Sequence, residues 1–114
     1  MKTLFPAMLL AAGLAVPALA QGAIGTLERG TFACELPGNA AGQAGIAQPS
    51  RNFTIDNAAR YSSPQGGGTY LRRGNTLTFT SGPRQGETYQ IASERFLRLI
   101  EDGQPGRLRC VRQG

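Results

Sequence analysis

The segment from Gly68 to Ile91 constrains the fold of this chain more than any other, because apolar and polar residues alternate in it between short turn sequences. In the run 76–80, leucine and phenylalanine alternate with threonines. Successive side chains on a strand point to opposite faces, so this run predicts a strand with one apolar and one hydroxyl face. The turn sequences Gly74-Asn75 and Gly82-Pro83 join it to its neighbours, and turns this short connect antiparallel strands. The segment therefore predicts a three-stranded antiparallel meander.

Short runs of the same kind lie on both sides of the meander, and no segment beyond the first twenty residues has the periodicity of an amphipathic helix. Further strands are expected at 31–36, 51–56, 95–101 and 107–112. Two stretches rich in glycine, alanine and proline are predicted to be loops, a mobile excursion at 38–50 and a flexible loop at 62–68. The pattern indicates an all-β domain of seven or eight short strands.

One face of each predicted strand is apolar, and these faces supply enough side-chain volume to fill a small barrel. The residues expected to point inward are Phe32, Leu36, Phe53, Ile55, Leu77, Phe79, Tyr89, Ile91, Leu97, Leu99 and Leu108. We therefore expect a packed interior rather than a ligand cavity.

The chain has two cysteines, Cys34 in the first predicted strand and Cys110 in the last. Both fall on inward positions, and two cysteines in an exported protein typically form a disulfide. A bridge between the first and last strands fits a closed up-and-down barrel, in which these strands are neighbours. A two-sheet sandwich would also allow it. The sequence thus predicts a small antiparallel up-and-down β-barrel closed by one disulfide.

Residues 1–20 have the pattern of a cleaved signal peptide, with Lys2, an uncharged apolar run and the end Ala18-Leu19-Ala20. Cleavage after Ala20 would leave a flexible leader at 21–29 and a barrel domain at 30–113. The apolar run is too short to span a bilayer, so we expect no transmembrane segment after processing. The pattern predicts a periplasmic or secreted protein.

The net charge is +5, and beyond Lys2 every basic residue is arginine. Guanidinium groups suit carboxylates and phosphates, although a GC-rich genome also favours arginine. Arg98, Arg107 and Arg109 fall on outward positions of the last two strands and form a candidate anion-binding face. An acidic protein or an anionic envelope component would be its partner; the alternative is an ordinary solvated exterior. Nucleic acid is not expected, because most aromatic residues alternate inward.

The residue types argue against an enzyme. The chain has no histidine, the commonest general base and metal ligand. Both cysteines are assigned to the bridge, and no Gly-x-Ser-x-Gly sequence occurs. Most carboxylates fall in turns or on outward positions, where they are typically solvated. We therefore expect no catalytic residues, no metal site and no cofactor, and a protein that acts by binding.

Several motifs resemble those of small uncharacterised exported proteins of alphaproteobacteria. The motifs are Cys34-Glu35-Leu36-Pro37-Gly38, Gly68-Thr69-Tyr70-Leu71, the run 77–83 and Leu108-Arg109-Cys110-Val111-Arg112. The likeness covers most of the chain after residue 20 and implies no activity. Such sequences are sometimes labelled elongation factor P, a cytosolic factor that works through a lysine-tipped loop, whereas this chain has no lysine after Lys2.

A second resemblance is to the periplasmic inhibitors of C-type lysozyme, small exported β-barrels with one cysteine in the first strand and another near the C-terminus. Phe32-Ala33-Cys34, the run 86–89 and Arg109-Cys110 are similar in placement. This resemblance implies an inhibitor that uses a loop, with Ser81, Arg84 and Glu87 as the candidate binding residues. The family's loops use a serine and a lysine, and here arginine would replace the lysine.

Overall fold

The computed structural model describes residues 23–38 and 45–114. The predicted signal peptide at 1–20 and residues 39–44 lie outside this part. The described strands are β1 (Ile24–Gly25), β2 (Gly30–Pro37), β3 (Gly45–Ala47), β4 (Phe53–Ile55), β5 (Arg60–Ser63), β6 (Gly66–Arg73), β7 (Thr76–Phe79), β8 (Thr88–Ser93), β9 (Phe96–Glu101) and β10 (Gln104–Arg112). One short 3-10 helix, Pro49–Arg51, precedes β4.

Eight strands, β2 and β4 to β10, form a closed antiparallel barrel in which each strand pairs with the next along the chain. The pairing of β10 with β2 closes the wall. The two short strands lie alongside, β1 on β6 and β3 on β2. The prediction of an up-and-down barrel is confirmed.

The disulfide between Cys34 and Cys110 joins the two strands that close the barrel. The two residues lie directly opposite each other in the register of β2 and β10, with their Cα atoms 3.9 Å apart. Both side chains are buried. The bridge links positions 76 residues apart and confirms the predicted pairing.

The interior is filled by aromatic and aliphatic side chains. Of the predicted inward residues, Leu36 and Leu99 are partly buried against the core and the others are buried. Phe53 lies at the centre, with the ring centroids of Phe32 and Phe79 each 5.3 Å from its own. Tyr61 stacks on Phe79 at 4.0 Å. The core thus forms one aromatic cluster that reaches across the barrel.

The meander is confirmed as β6, β7 and β8, but the prediction of a flexible loop at 62–68 is wrong. Strand β5 runs to Ser63, and β6 already begins at Gly66. The glycines serve close packing: a Cβ atom on Gly68 would collide with the carbonyl of Ser81 and approach the ring of Tyr61 to 2.8 Å. Because glycine has no Cβ, the β7–β8 loop lies directly against this strand.

Part of the excursion predicted at 38–50 is regular structure. Strand β3 pairs with Glu35–Pro37 of β2, and the 3-10 helix Pro49–Arg51 follows it. The amide of Asn52 caps that helix by donating to the Pro49 carbonyl. These contacts hold the segment against the end of the barrel.

The segment predicted as a leader contributes to the wall and to the core. Strand β1 pairs with Arg72 and Arg73 of β6. Leu27 is buried, and its amide donates to the Tyr70 hydroxyl at 2.9 Å. Residues 23–29 therefore cover one end of the barrel.

Candidate functional site

The predicted anion-binding face lies on the outer wall of β9 and β10. Arg98 of β9 is directly opposite Arg109 of β10. Arg107 is two residues before Arg109, and Leu108 between them is buried, so both arginines point outward. Like charges directly opposite each other destabilise a sheet. The strand register thus brings the like charges of Arg98 and Arg109 next to each other on the outer wall.

Two of these arginines also contact groups of the protein. Arg109 Nε lies 2.7 Å from Glu35 Oε2, in an ion pair whose side chains are 27% and 33% exposed. Arg98 Nη2 donates to the Gly106 carbonyl at 2.6 Å. That carbonyl belongs to the irregular stretch of β10 between Pro105 and Arg109. Arg98, Arg107, Arg109 and Glu35 together carry a formal charge of 3 − 1 = +2, and the Glu101 carboxylate lies beside them against Gly106.

Apolar side chains border the arginines on the same wall, three of them half-buried and Pro105 exposed. Phe96 lies opposite Val111, and Ile100 lies opposite Pro105. The outer face of β9 is therefore amphipathic, with a guanidinium between two apolar side chains. This agrees with the mixed pattern of Phe96, Arg98 and Ile100 in the sequence.

The candidate binding loop between β7 and β8 contains Arg84, which is only 5% exposed. Its guanidinium donates to the carbonyls of Ser50 (2.6 Å), Arg51 (2.7 Å) and Asn52 (3.1 Å). It also donates to Gln65 Oε1 at 2.8 Å. Arg84 thus holds the loop to the 3-10 helix, and its charged group lies within the barrel end rather than at the loop tip.

Ser81 and Glu87 also fix this loop. Ser81 Oγ accepts from the Thr69 amide at 3.0 Å, and its carbonyl accepts from the Tyr61 hydroxyl at 2.9 Å. Glu87 accepts a hydrogen bond from the Tyr89 hydroxyl at 3.0 Å and pairs with Arg51 at 3.4 Å. The three predicted loop residues therefore lie in one loop and support it. The exposed residues at its tip are Gly82, Pro83, Gln85 and Gly86.

Tyr89 lies fully buried beneath this loop. Burial raises the pKa of its hydroxyl well above the ordinary value, and the neighbouring Glu87 carboxylate raises the pKa further. The hydroxyl therefore stays protonated and serves as a hydrogen-bond donor.

A second buried arginine lies at the opposite end of the barrel and was missed in the sequence. Arg112 is 6% exposed, with its guanidinium carbon 4.9 Å from the centre of the Phe32 ring. It donates to the carbonyls of Glu28 (2.7 Å) and Arg29 (2.6 Å). Arg112 is two residues after Cys110, so the alternation of side chains along a strand predicts that both point inward.

Within residues 23–38 and 45–114, no group of three or more histidine, cysteine, aspartate or glutamate side chains is arranged to hold a metal ion. No helix in the same residues is long and apolar enough to cross a membrane. Comparison with protein-family models, curated proteins and solved structures finds no match to this chain. A functional argument therefore rests on the geometry of the face and the loop.

Proposed function

We propose that this protein is a binding module that holds an anionic ligand on the outer wall of β9 and β10, through Arg98, Arg107 and Arg109. The observation that carries the proposal is the direct opposition of Arg98 and Arg109. An anion placed over the pair would reduce their mutual repulsion, and guanidinium forks match the geometry of carboxylate and phosphate groups.

The architecture supports binding on the outside of the wall. The aromatic cluster fills the middle of the barrel, so a ligand meets the protein at its surface. The arginines lie on paired strands rather than on loops, and sites on regular elements hold their geometry better. We further propose that the protein is exported to the periplasm, which would make an anionic envelope component or an acidic protein the available ligand.

A titration of the full chain with inorganic polyphosphate and with polygalacturonate, at low and high salt, tests the proposal. The double variant Arg98→Gln/Arg109→Gln should weaken binding by at least about tenfold, since each charge-assisted hydrogen bond contributes roughly 1.5–3 kcal/mol. The control Arg29→Gln/Arg60→Gln removes the same two charges from exposed positions outside the face and should have little effect. Binding should also weaken as salt rises.

Two results would contradict this function. Absence of binding to either polyanion would remove its basis. An equal loss in Arg29→Gln/Arg60→Gln would show that overall charge, rather than the opposed pair, attracts the anion.

A second candidate function is inhibition of a hydrolase such as lysozyme by the β7–β8 loop. The hydrogen bonds that hold this loop in place favour it. Ser50, Tyr61 and Thr69 hold the loop through hydrogen bonds to the loop residues Arg84 and Ser81. A loop held in its bound shape loses little entropy on docking. A lysozyme activity assay with the full chain and with Pro83→Ala/Gln85→Ala tests it, because both residues are exposed. Salt-tolerant inhibition that the variant loses would support this candidate; no inhibition by the unmodified chain would exclude lysozyme as its target.

A further inference from the structure

The anion-binding face is one end of a longer row of outward side chains. Arg109 lies opposite Arg98, and Arg98 lies opposite Gln90 of β8. Gln90 lies opposite Thr76 of β7, which lies opposite Arg73 of β6. The row crosses five neighbouring strands with arginines at both ends.

All members of this row point away from the core. Their neighbours Leu108, Leu97, Tyr89 and Leu77 are buried, and side chains alternate between the two faces of a strand. The row contains guanidinium, amide and hydroxyl groups and no carboxylate between its two ends. It can therefore form hydrogen bonds along its length. Arg98 near one end and Arg73 at the other attract negative charge, while Arg109 is paired with Glu35.

Arg73 is the residue that extends the face beyond β9 and β10. Its side chain makes no hydrogen bond or ion pair within the described part of the chain, whereas the adjacent Arg72 pairs with Glu94 at 2.9 Å. Arg73 lines a shallow groove of about 340 Å³ together with Leu71, Thr76 and Thr78. A guanidinium at the edge of a groove is well placed to meet an anionic group of a ligand.

The dimensions of the row select the shape of that ligand. Neighbouring strands are about 4.8 Å apart, so four steps from Arg109 to Arg73 span roughly 19 Å of wall. A single phosphate or carboxylate ion cannot reach both ends. The wall curves around the barrel, so a rigid rod would leave it before the last strand. An elongated and flexible chain follows the row.

The polar side chains in the middle of the row indicate the chemical class of the ligand. Thr76 and Gln90 offer a hydroxyl and an amide, which both donate and accept hydrogen bonds. Sugar hydroxyls have the same dual capacity, whereas the side chains of an acidic peptide only accept. Thr78 and Thr88, two residues along the same strands, extend the hydroxyl-bearing surface.

We infer that the ligand of this face is an elongated, flexible acidic polysaccharide that lies across the wall from Arg109 to Arg73. The inference rests on the function proposed above. It adds Arg73 as a second anion contact and Thr76 and Gln90 as contacts to sugar hydroxyls.

Calorimetric titration of the full chain with polygalacturonate and with the galacturonate trisaccharide tests this inference. The polymer should bind at least about tenfold more tightly than the trisaccharide, because only the polymer gains a charge-assisted bond at the far end. Arg73→Gln should remove most of that difference, because it weakens polymer binding more than trisaccharide binding. Arg98→Gln/Arg109→Gln should weaken both ligands, and Arg60→Gln neither.

Three outcomes overturn the inference while the proposed function stands: the polymer binds Arg73→Gln as tightly as the unmodified chain, polyglutamate binds as tightly as polygalacturonate, or polyphosphate binds and polygalacturonate does not. Failure of every polyanion to bind the unmodified chain overturns the inference together with the proposed function.

Discussion

The Arg84 guanidinium donates to the Ser50 carbonyl at 2.6 Å, and this contact fixes the β7–β8 loop over one end of the barrel. Arg112 occupies a corresponding place at the other end, where it donates to the Glu28 carbonyl at 2.7 Å. Neither arginine forms an ion pair within residues 23–38 and 45–114. Both ends are therefore closed by a cation whose partners include several backbone carbonyls.

Replacement of Arg84 should test this closure most directly. Arg84→Lys keeps the charge but cannot reach the carbonyls of Ser50, Arg51 and Asn52 and the Gln65 amide oxygen together. We expect the free energy of unfolding to fall by about 2–3 kcal/mol, because buried carbonyls lose charge-assisted donors. Guanidinium-induced unfolding measures the change. Arg107→Gln, at an exposed position, should change stability by less than about 0.5 kcal/mol. Equal stability of Arg84→Lys and the unmodified chain would show that charge alone suffices.

The Cys34–Cys110 bridge should contribute strongly to stability, because it links residues 76 apart. The loop-entropy relation gives about 4–5 kcal/mol for a loop of this length, so Cys34→Ala/Cys110→Ala should unfold at much lower denaturant concentration. A thiol count on the denatured chain provides the chemical check. We expect no free thiol before reduction and two afterwards. Two free thiols before reduction would contradict the bridge.

The turn between β4 and β5 offers a stabilising substitution. Ala58 and Ala59 have φ values of 58° and 59°, in the left-handed region, and the Arg60 amide donates to the Asn57 carbonyl across them. This region is strained for alanine and open to glycine. Ala58→Gly, at an exposed position, should raise the free energy of unfolding by about 0.5–1 kcal/mol after the greater freedom of the unfolded chain is counted.

Thermal unfolding of two alanine-to-glycine variants isolates that effect. Ala33 lies in β2 opposite Val111, and its φ is not positive. Ala33→Gly should therefore lower stability, because glycine weakens a strand. A loss of stability in both variants would mean that the turn at Ala58 carries no strain.

Stability should decrease in alkaline solution because of Tyr89. Its pKa is raised in the folded chain above the ordinary value of 10.0, chiefly by burial and then by Glu87. Above about pH 10 the unfolded chain loses this proton and the folded chain keeps it, so stability falls by up to about 1.4 kcal/mol per pH unit. Denaturant unfolding at about pH 9 and about pH 11 should show a smaller decrease for Tyr89→Phe than for the unmodified chain. An equal decrease in both would exclude Tyr89 as its source.

The barrel fold could be predicted from local sequence patterns. Alternation in β2, β7 and β10 placed the core residues correctly, since the side-chain period of a strand is insensitive to the rest of the fold. The parity shared by Cys34 and Cys110 indicated which strands meet. The three consecutive glycines of β6 led to the wrong prediction of a loop, because runs of glycine are typical of loops. Their role depends on the approach of Ser81, more than ten residues away in sequence.

The candidate site depends more on contacts between distant segments. That Arg98 and Arg109 point outward was predictable from alternation, but their direct opposition requires the register of β9 and β10. The place of Arg73 in the same row requires three further strand registers. Burial of Arg84 had no local signal, because its carbonyl partners lie 32 to 34 residues earlier in the chain.

The position of the disulfide also determines how the barrel responds to tension. A pull applied before Cys34 and after Cys110 passes from one strand to the other through the covalent S–S bond. The chain between them, which includes β4 to β9, lies inside the bridged loop and cannot be drawn out. Of the strands that the structure describes, only β1, the start of β2 and the last residues of β10 lie outside the bridged loop and can peel away. Stretching of the oxidised protein should therefore stop after a short extension, and reduction should release the full length of the chain.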